Sequence, residues 1–255
     1  IPVHFAGYPS DMEKIFNLSK KFKFKIIEDA SHALGSIYKK NKIGNCKFSE
    51  ATIFSFHPVK IITTGEGGAI MTNNKQLNLK LKSLRSHGII KNYINKKKVI
   101  RDKPWIFFQK DLGLNYRLTD IQASLGTSQL KKLNRFTRNR NDIAKIYNRE
   151  LMGLPLKLPT LSGKNYSTFH LYVVMLKKKN RDLLYKRLLA KGIRTNIHYI
   201  PIYEHPYFKK FNFLKKNFKD NDEYFKNAIS LPVYPNLSKK TIFKVIKIVK
   251  EFLNQ

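Results

Sequence analysis

Lys60 and Asp29 are the residues whose type and setting most readily do chemistry. Lys60 follows the β-branched and aromatic run Ala51-Thr52-Ile53-Phe54-Ser55-Phe56 and precedes the cluster Gly65-Glu66-Gly67-Gly68. A lysine drawn out of water has a lowered pKa and becomes an amine that condenses with carbonyls. Asp29 closes a second apolar run, Phe24-Lys25-Ile26-Ile27, through the acidic pair Glu28-Asp29. A buried carboxylate beside a ring nitrogen keeps that ring protonated. In so lysine-rich a chain the plain alternative for Lys60 is a solvated side chain. Asp29 read alone serves equally well as a helix cap for Ala30 to Leu34. Ser55 and the glycines around Gly65 can donate to a phosphate, although the glycine cluster is by itself an ordinary turn and lacks the GK[ST] of a phosphate-binding loop. His32 and His57 flank the same region.

These side chains need elements to hold them. The two runs, each ending in a polar cluster, read as strands of a buried parallel sheet, and the carboxyl ends of such strands are where open α/β sheets place ligands. Residues 1–7 read as a strand, and Ser10 or Asp11 caps a helix to about Lys21. A strand to Glu28 follows, making a β-α-β unit with a right-handed crossover. Ser31 to Gly35 is expected to open a short helix. Further along come a strand at 51–56, a strand over Ala69-Ile70-Met71-Thr72, and a helix from Lys75 to Ser86 with Gly88 beyond it as its cap. Residues 91–111, with Trp105, Phe107 and Phe108, read as an irregular Lys-rich loop. A helix capped by Thr119 or Asp120 precedes a long one over 134–152. The segment Gly153 to Pro159 marks a domain boundary. The domains expected are thus 1–133, part of a larger α/β unit, and 134–255, a smaller α+β unit with its connecting helix. In the latter, strands at 168–176 and 193–199 flank a helix at 180–191. The loop HYIPIYEHPYF, a helix near 221–229, the extended SLPVYP and a closing helix at 238–253 complete it.

Bulk properties narrow the function classes. With 255 residues and 42% hydrophobic content, the chain has ample material for a core. No window is apolar enough to span a membrane. The first residues lack a signal peptide's basic head and apolar centre, and they carry no initiator Met, so the chain reads as starting inside a domain. The single cysteine, Cys46, excludes an internal disulfide framework and fits a reducing cytoplasm. The seven histidines show no metal-ligand spacing with it, and no metal site is expected. The charge is lopsided, +33 from 50 Lys and Arg against 17 Asp and Glu. Such a surface attracts phosphate backbones. Yet Lys239, Lys240, Lys244, Lys247 and Lys250 share one side of a helix whose other side is Ile242, Val245, Ile246, Val249 and Leu253. That is a solvated face, and no nucleic-acid-binding motif accompanies it.

The motifs together carry a resemblance. EDASHALGS, then ATIFSFHPVK-x-x-TTGEGG, then GLNYRLTDIQASLG, in this order, resemble the DegT/DnrJ/EryC1/StrS family of PLP-dependent nucleotide-sugar aminotransferases. The HLYVV, HYIPIY and SLPVYP stretches extend the resemblance over nearly the whole chain. It implies fold type I: a large domain with a mostly parallel sheet and a smaller C-terminal domain. It implies pyridoxal 5'-phosphate as cofactor, with Lys60 as the lysine that bonds the cofactor and shuttles protons and Asp29 as the partner of the pyridine nitrogen. His32 then stands near the ring and its phenolic oxygen, and Ser55 at the phosphate. Asn115 reaches the phosphate of a neighbouring subunit's cofactor, so a homodimer with a shared site is implied. His57, His198, Tyr199, Ile200, Pro201 and Tyr207 fall in the substrate pocket. The substrates implied are glutamate and a nucleotide-linked 4-keto-6-deoxy hexose, with SFHPVKIITTGEGG and IPVHFAG most similar to the branch that aminates a UDP-4-keto-6-deoxy-N-acetyl sugar for pseudaminic acid. The family's Gly-Ser/Thr-rich phosphate loop and ring-stacking aromatic, which lie upstream of these motifs, are not found before Ile1. Dehydratases of the same fold carry histidine where Lys60 stands, so the lysine favours transamination. A GDP-perosamine type of aminotransferase, a non-catalytic descendant and a nucleic-acid binder are the alternatives.

Overall fold

The structure, a computed structural model, describes residues 1–90, 105–160, 163–177, 180–211 and 218–255. In chain order the first elements are α1 (Met12–Phe22), β1 (Ile27–Asp29), β2 (Ile37–Tyr38), β3 (Asn41–Lys42), β4 (Ala51–Ser55), β5 (Gly68–Met71) and α2 (Lys75–Leu84). Then come β6 (Ile89–Ile90), β7 (Phe108–Gln109), α3 (Asp120–Leu130) and α4 (Leu133–Leu151). The remainder is β8 (Leu156–Lys157), β9 (Asn165–Tyr166), β10 (Tyr172–Leu176), α5 (Arg181–Ala190), α6 (Pro206–Lys209), α7 (Lys219–Asn227), β11 (Ala228–Leu231) and α8 (Lys239–Asn254).

The sheet that matters for function has the order β1-β4-β5. Its pairing is parallel from Val3 to Asp29 and from β1 to β4, and it takes an antiparallel neighbour at β5. Glu28 locks these strands. Its carboxylate accepts from His4 Nε2 at 2.7 Å, from Thr52 Oγ1 at 3.1 Å and from the Ser49 hydroxyl. His4 Nδ1 accepts from the Ser10 N–H, so Nε2 carries the proton given to Glu28. Burial works against the Glu28 carboxylate, but the bonds from His4 and Ser49 prevail and hold its pKa below the usual range. Removing one partner of a buried pair strands the other. Glu28→Ala is therefore expected to destabilise the fold by roughly 3–5 kcal/mol, read as a lower urea midpoint.

Two clusters of buried side chains form the interior. One gathers Met12, Ile26, Ala30, Tyr38, Phe48 and Phe54 around the β1-β4-β5 sheet. The other runs from Ile143 on α4 to Leu253 on α8 around the β11-β10-β8 sheet. They meet through β9, which pairs with β2, and through Ser36, whose hydroxyl lies 3.1 Å from that of Thr168.

Several expected elements differ. Residues 1–7 are not a strand: only Val3 bridges to Asp29, and Ala6 (φ 57°) and Gly7 (φ 93°) curl the chain away. A Cβ on Gly7 would come within 2.6 Å of Thr168 Oγ1, so only glycine permits this approach. Ser31 to Gly35 forms successive turns (Ala33 N–H to Ala30 O, Ser36 N–H to Ala33 O), and Gly35 at φ 89° ends any helical course. Residues 193–199 join no sheet beyond a bridge from Asn196 to Ser230. The helix α2 stops at Leu84, and Gly88 returns its N–H to Ser83 O. Of the 91–111 loop, 91–104 lie outside the described residues, while Phe108–Gln109 pairs with β6.

Candidate active site

Lys60 sits on a loop that closes on itself. The Phe56 N–H donates to Gly67 O at 2.9 Å, and the Thr64 N–H donates to Phe56 O at 3.0 Å. Ile61 and Ile62 are buried behind it, while His57, Pro58 and Val59 are exposed in front. The Lys60 N–H donates to His57 O, which turns the chain and leaves the amine half-buried. Gly67 (φ 152°) sits where a Cβ would meet Thr64 Oγ1 at 2.5 Å, so this loop packs no larger residue there.

Asp29 ends β1, next to β4, whose chain leads into the Lys60 loop. Its Oδ1 accepts from the Ser31 N–H at 3.0 Å. Burial opposes its charge, yet the Ser31 bonds and the neighbouring His32 and Lys60 hold it below the usual carboxylate range. Burial pushes the Lys60 amine down, with Asp29 acting against it. The two groups are thus electrostatic neighbours: a retained carboxylate beside a weakened ammonium.

His32 and His198 belong to the same group. Burial and then Lys60 lower both, His32 to about 4. His198 Nδ1 lies 2.8 Å from Ser230 Oγ, which ties the HYIP loop to β11. Ser55 is half-buried at the end of β4, and its Oγ accepts the His57 N–H at 3.4 Å, leaving its hydroxyl proton free to donate. The other expected residues lie outside this group. His57 is exposed, with Nε2 3.8 Å from Glu66. Asn115 is exposed and bridges Ser86, amid the exposed apolar side chains Leu112, Leu114, Tyr116 and Ile121. A cleft of about 980 Å³ lies on this side, between β5, α2 and the segment 114–118. Tyr199, Ile200 and Tyr207 are exposed, Pro201 is buried, and Lys210 Nζ lies 4.0 Å above the Tyr207 ring.

The residue that sequence reasoning passed over is His170. It is buried, its ring centroid is 4.3 Å from that of His32, and burial and then His32 lower its pKa to about 2. The available signal was a histidine inside the otherwise apolar run FHLYVVML, where a polar ring needs a reason. Arg140 was missed as well, since nothing in a helix that carries four arginines marks one of them as buried. Among the described residues no cluster of His, Cys, Asp and Glu is placed to hold a metal ion, and no helix is long and apolar enough to cross a membrane.

Both buried histidines have folded pKa values below the unfolded value of about 6.5, so the unfolded chain binds more protons as pH falls. Their contribution to stability is complete above about pH 6.5 and shrinks as pH drops towards 4. Each contributes a slope of up to about 1.4 kcal/mol per pH unit. His170→Asn is expected to remove one such slope between about pH 4.5 and 5.5, measured by urea denaturation across that range.

Residues 1–250 match the model of the DegT/DnrJ/EryC1/StrS aminotransferase family. The chain belongs to this family. A UDP-4-amino-4,6-dideoxy-N-acetyl-beta-L-altrosamine transaminase of Campylobacter jejuni is 38% identical, over 98% of this chain and 66% of its own length. The solved structure of Helicobacter pylori PseC, an aminotransferase involved in the biosynthesis of pseudoaminic acid, superposes with a TM-score of 0.89 at 33% identity, covering 99% of this chain and 66% of PseC. The Streptococcus pneumoniae family member Spr1654, in its PLP-form, superposes at 0.88 and 26% identity, over 99% and 67%. The chain therefore spans about two thirds of the length of the relatives it matches. Its fold is that of the PLP-dependent family members, fold type I.

Proposed function

We propose that the protein is a PLP-dependent sugar aminotransferase. Glutamate gives up its amino group and leaves as 2-oxoglutarate, and the keto oxygen of a nucleotide-linked 4-keto-6-deoxy hexose is replaced by that amino group. The observation that carries this reading is the Lys60 amine, weakened by burial, beside an Asp29 carboxylate that stays ionised. This donor set fits pyridoxal phosphate: an amine for its aldehyde, a carboxylate for its pyridine nitrogen, a serine hydroxyl with a free proton for its phosphate. The orphaned ring nitrogen of buried His170 beside His32 also fits a site built for a polar ligand. When bound, the cofactor supplies an electron sink for carbanions. Lys60 would hold and return the proton taken from the substrate carbon. Asp29 keeps a positive charge at the ring nitrogen. His198, Tyr199, Ile200, Pro201 and Tyr207, with His57, line the sugar-nucleotide side.

The UDP-4-keto-6-deoxy-N-acetyl sugar is the preferred acceptor in this reading, supported by the transaminase activity for which the Campylobacter jejuni relative is named. The basic surface favours anionic substrates. Residues 1–133 make up part of the cofactor-binding domain and 134–255 the smaller domain, in keeping with two separate cores. Buried Cys46 and the metabolic substrates fit a cytoplasmic enzyme. A mass-resolved assay with glutamate and a panel of UDP- and GDP-4-keto sugars tests the assignment. Conversion of only GDP-linked acceptors would replace it with the perosamine type.

The working unit in this reading is a homodimer with Asn115 serving the partner's site, supported by the apolar surface around Asn115. Lys60→Ala and Asn115→Ala are each expected to be inactive alone. Mixed after co-refolding, they regain activity, because one site of the heterodimer holds both native residues. Failure of the mixture to regain activity would place Asn115 within its own subunit's site or outside any.

A further inference from the structure

The observations that point beyond the expected site residues converge on the turn at Phe169 and His170. Phe169 has φ 45°, a conformation that bulky residues seldom adopt. Arg140, buried on α4, clamps this turn: its Nη1 donates to Phe169 O at 3.1 Å, His170 O at 3.2 Å and Val233 O at 2.8 Å. The side chain so placed, His170, is more than nine-tenths buried, and its Nδ1 has no partner. A strained turn held in place by a buried cation points to a local use of the side chain it presents.

The use is on the neighbouring ring. His32 lies between Phe5, at 5.8 Å, and His170, at 4.3 Å. Its Nδ1 accepts the Ala6 N–H at 3.3 Å. That N–H is aimed by the left-handed turn at Ala6 and Gly7, which is stitched down by Leu171 N–H to Ala6 O and by Ser36 Oγ to Gly7 O. A neutral imidazole that accepts at Nδ1 must carry its proton at Nε2. Among the described residues no protein group takes up that Nε2–H.

We propose that Arg140 and His170 are positioning residues: they hold the His32 ring against the Ala6 N–H as a single neutral tautomer, so that Nε2–H is a fixed hydrogen-bond donor at the Lys60–Asp29 site. The acceptor it serves is an anionic oxygen of the bound cofactor, and this part rests on the reading under Proposed function. His170 acts through its ring, not through its own protonation. A phenyl ring in its place therefore keeps the effect, and a methyl group loses it.

Long-range proton–nitrogen NMR of histidine-labelled protein without added cofactor reads the tautomer directly. The wild type at pH 7 is expected to show His32 with Nδ1 unprotonated and Nε2 protonated. His170→Phe keeps this pattern. His170→Ala and Arg140→Lys give averaged tautomers, and pyridoxal phosphate binding, followed by absorbance, weakens roughly ten-fold in each. A wild-type ring protonated at Nδ1, or averaged, overturns the inference, and does so even where a variant fails to fold. An unaltered His32 pattern in folded His170→Ala overturns it too. Wild-type protein with the expected tautomer but no cofactor binding removes the anionic-oxygen role, and leaves the positioning of His32 standing.

Discussion

Replacing Lys60 by alanine is expected to abolish amino transfer while the protein remains folded. Lys60 is half-buried on a loop whose backbone bonds run through Phe56, Thr64 and Gly67, not through the lysine side chain. Deleting the side chain therefore leaves the loop and its buried anchors Ile61 and Ile62 in place. In the proposed reading, what disappears is the amine that would bond the cofactor and the group that would carry the proton. A positioned proton-transfer group contributes about 10²–10⁴-fold, and loss of the covalent link adds to this, so turnover falls by about 10⁴-fold or more. Lys60→Arg keeps a positive charge but cannot condense with an aldehyde, so it is expected to be as inactive as Lys60→Ala. A solvated surface lysine, the plain alternative, would leave both variants near wild-type rates. Release of 2-oxoglutarate from glutamate, with circular dichroism to check the fold, separates the two.

Asp29→Asn carries the second large effect. The substitution preserves shape and can keep the bond from the Ser31 N–H, so its consequence is electrostatic. It removes a negative group that acts against burial at Lys60, so the amine titrates lower still. In the proposed reading it also removes the charge that would keep the ring nitrogen protonated, and with it much of the drive for carbanion formation. Loss of one preorganised electrostatic group of this kind costs about 10²–10³-fold in kcat. The loss is expected in kcat with KM little changed, because the interaction strengthens on the way to the transition state. A rise in KM at unchanged kcat would assign Asp29 to substrate binding instead.

How far the site was legible in the sequence depends on what positions each residue. Asp29 ends a strand and Lys60 sits on the loop after another; the β-branched runs of both strands are visible, and β1 and β4 do lie side by side. The ladder of β1 starts only at Ile27, because Phe24 and Lys25 are exposed on the approach from α1. The turns were harder. Ala6 and Gly7 adopt left-handed conformations that the run IPVHFAG does not announce, since Val3, His4 and Phe5 all suit a strand. The alternation of Ile193, Thr195 and Ile197 has a strand's period, yet only Asn196 finds a partner, at Ser230, and the chain leaves the sheet to carry His198 to the site. His170 and Arg140 were illegible for a different reason. Their value lies in one ring distance and three carbonyl contacts, which join residues far apart in sequence.

The Lys60 amine carries the proposed function, and chemical trapping tests it most directly. Borohydride reduction of the protein with bound pyridoxal phosphate, followed by peptide mass mapping, is expected to place the pyridoxyl group on the peptide that contains Lys60. A pyridoxyl group on any other of the chain's many lysines, with the Lys60 peptide unmodified, would contradict it.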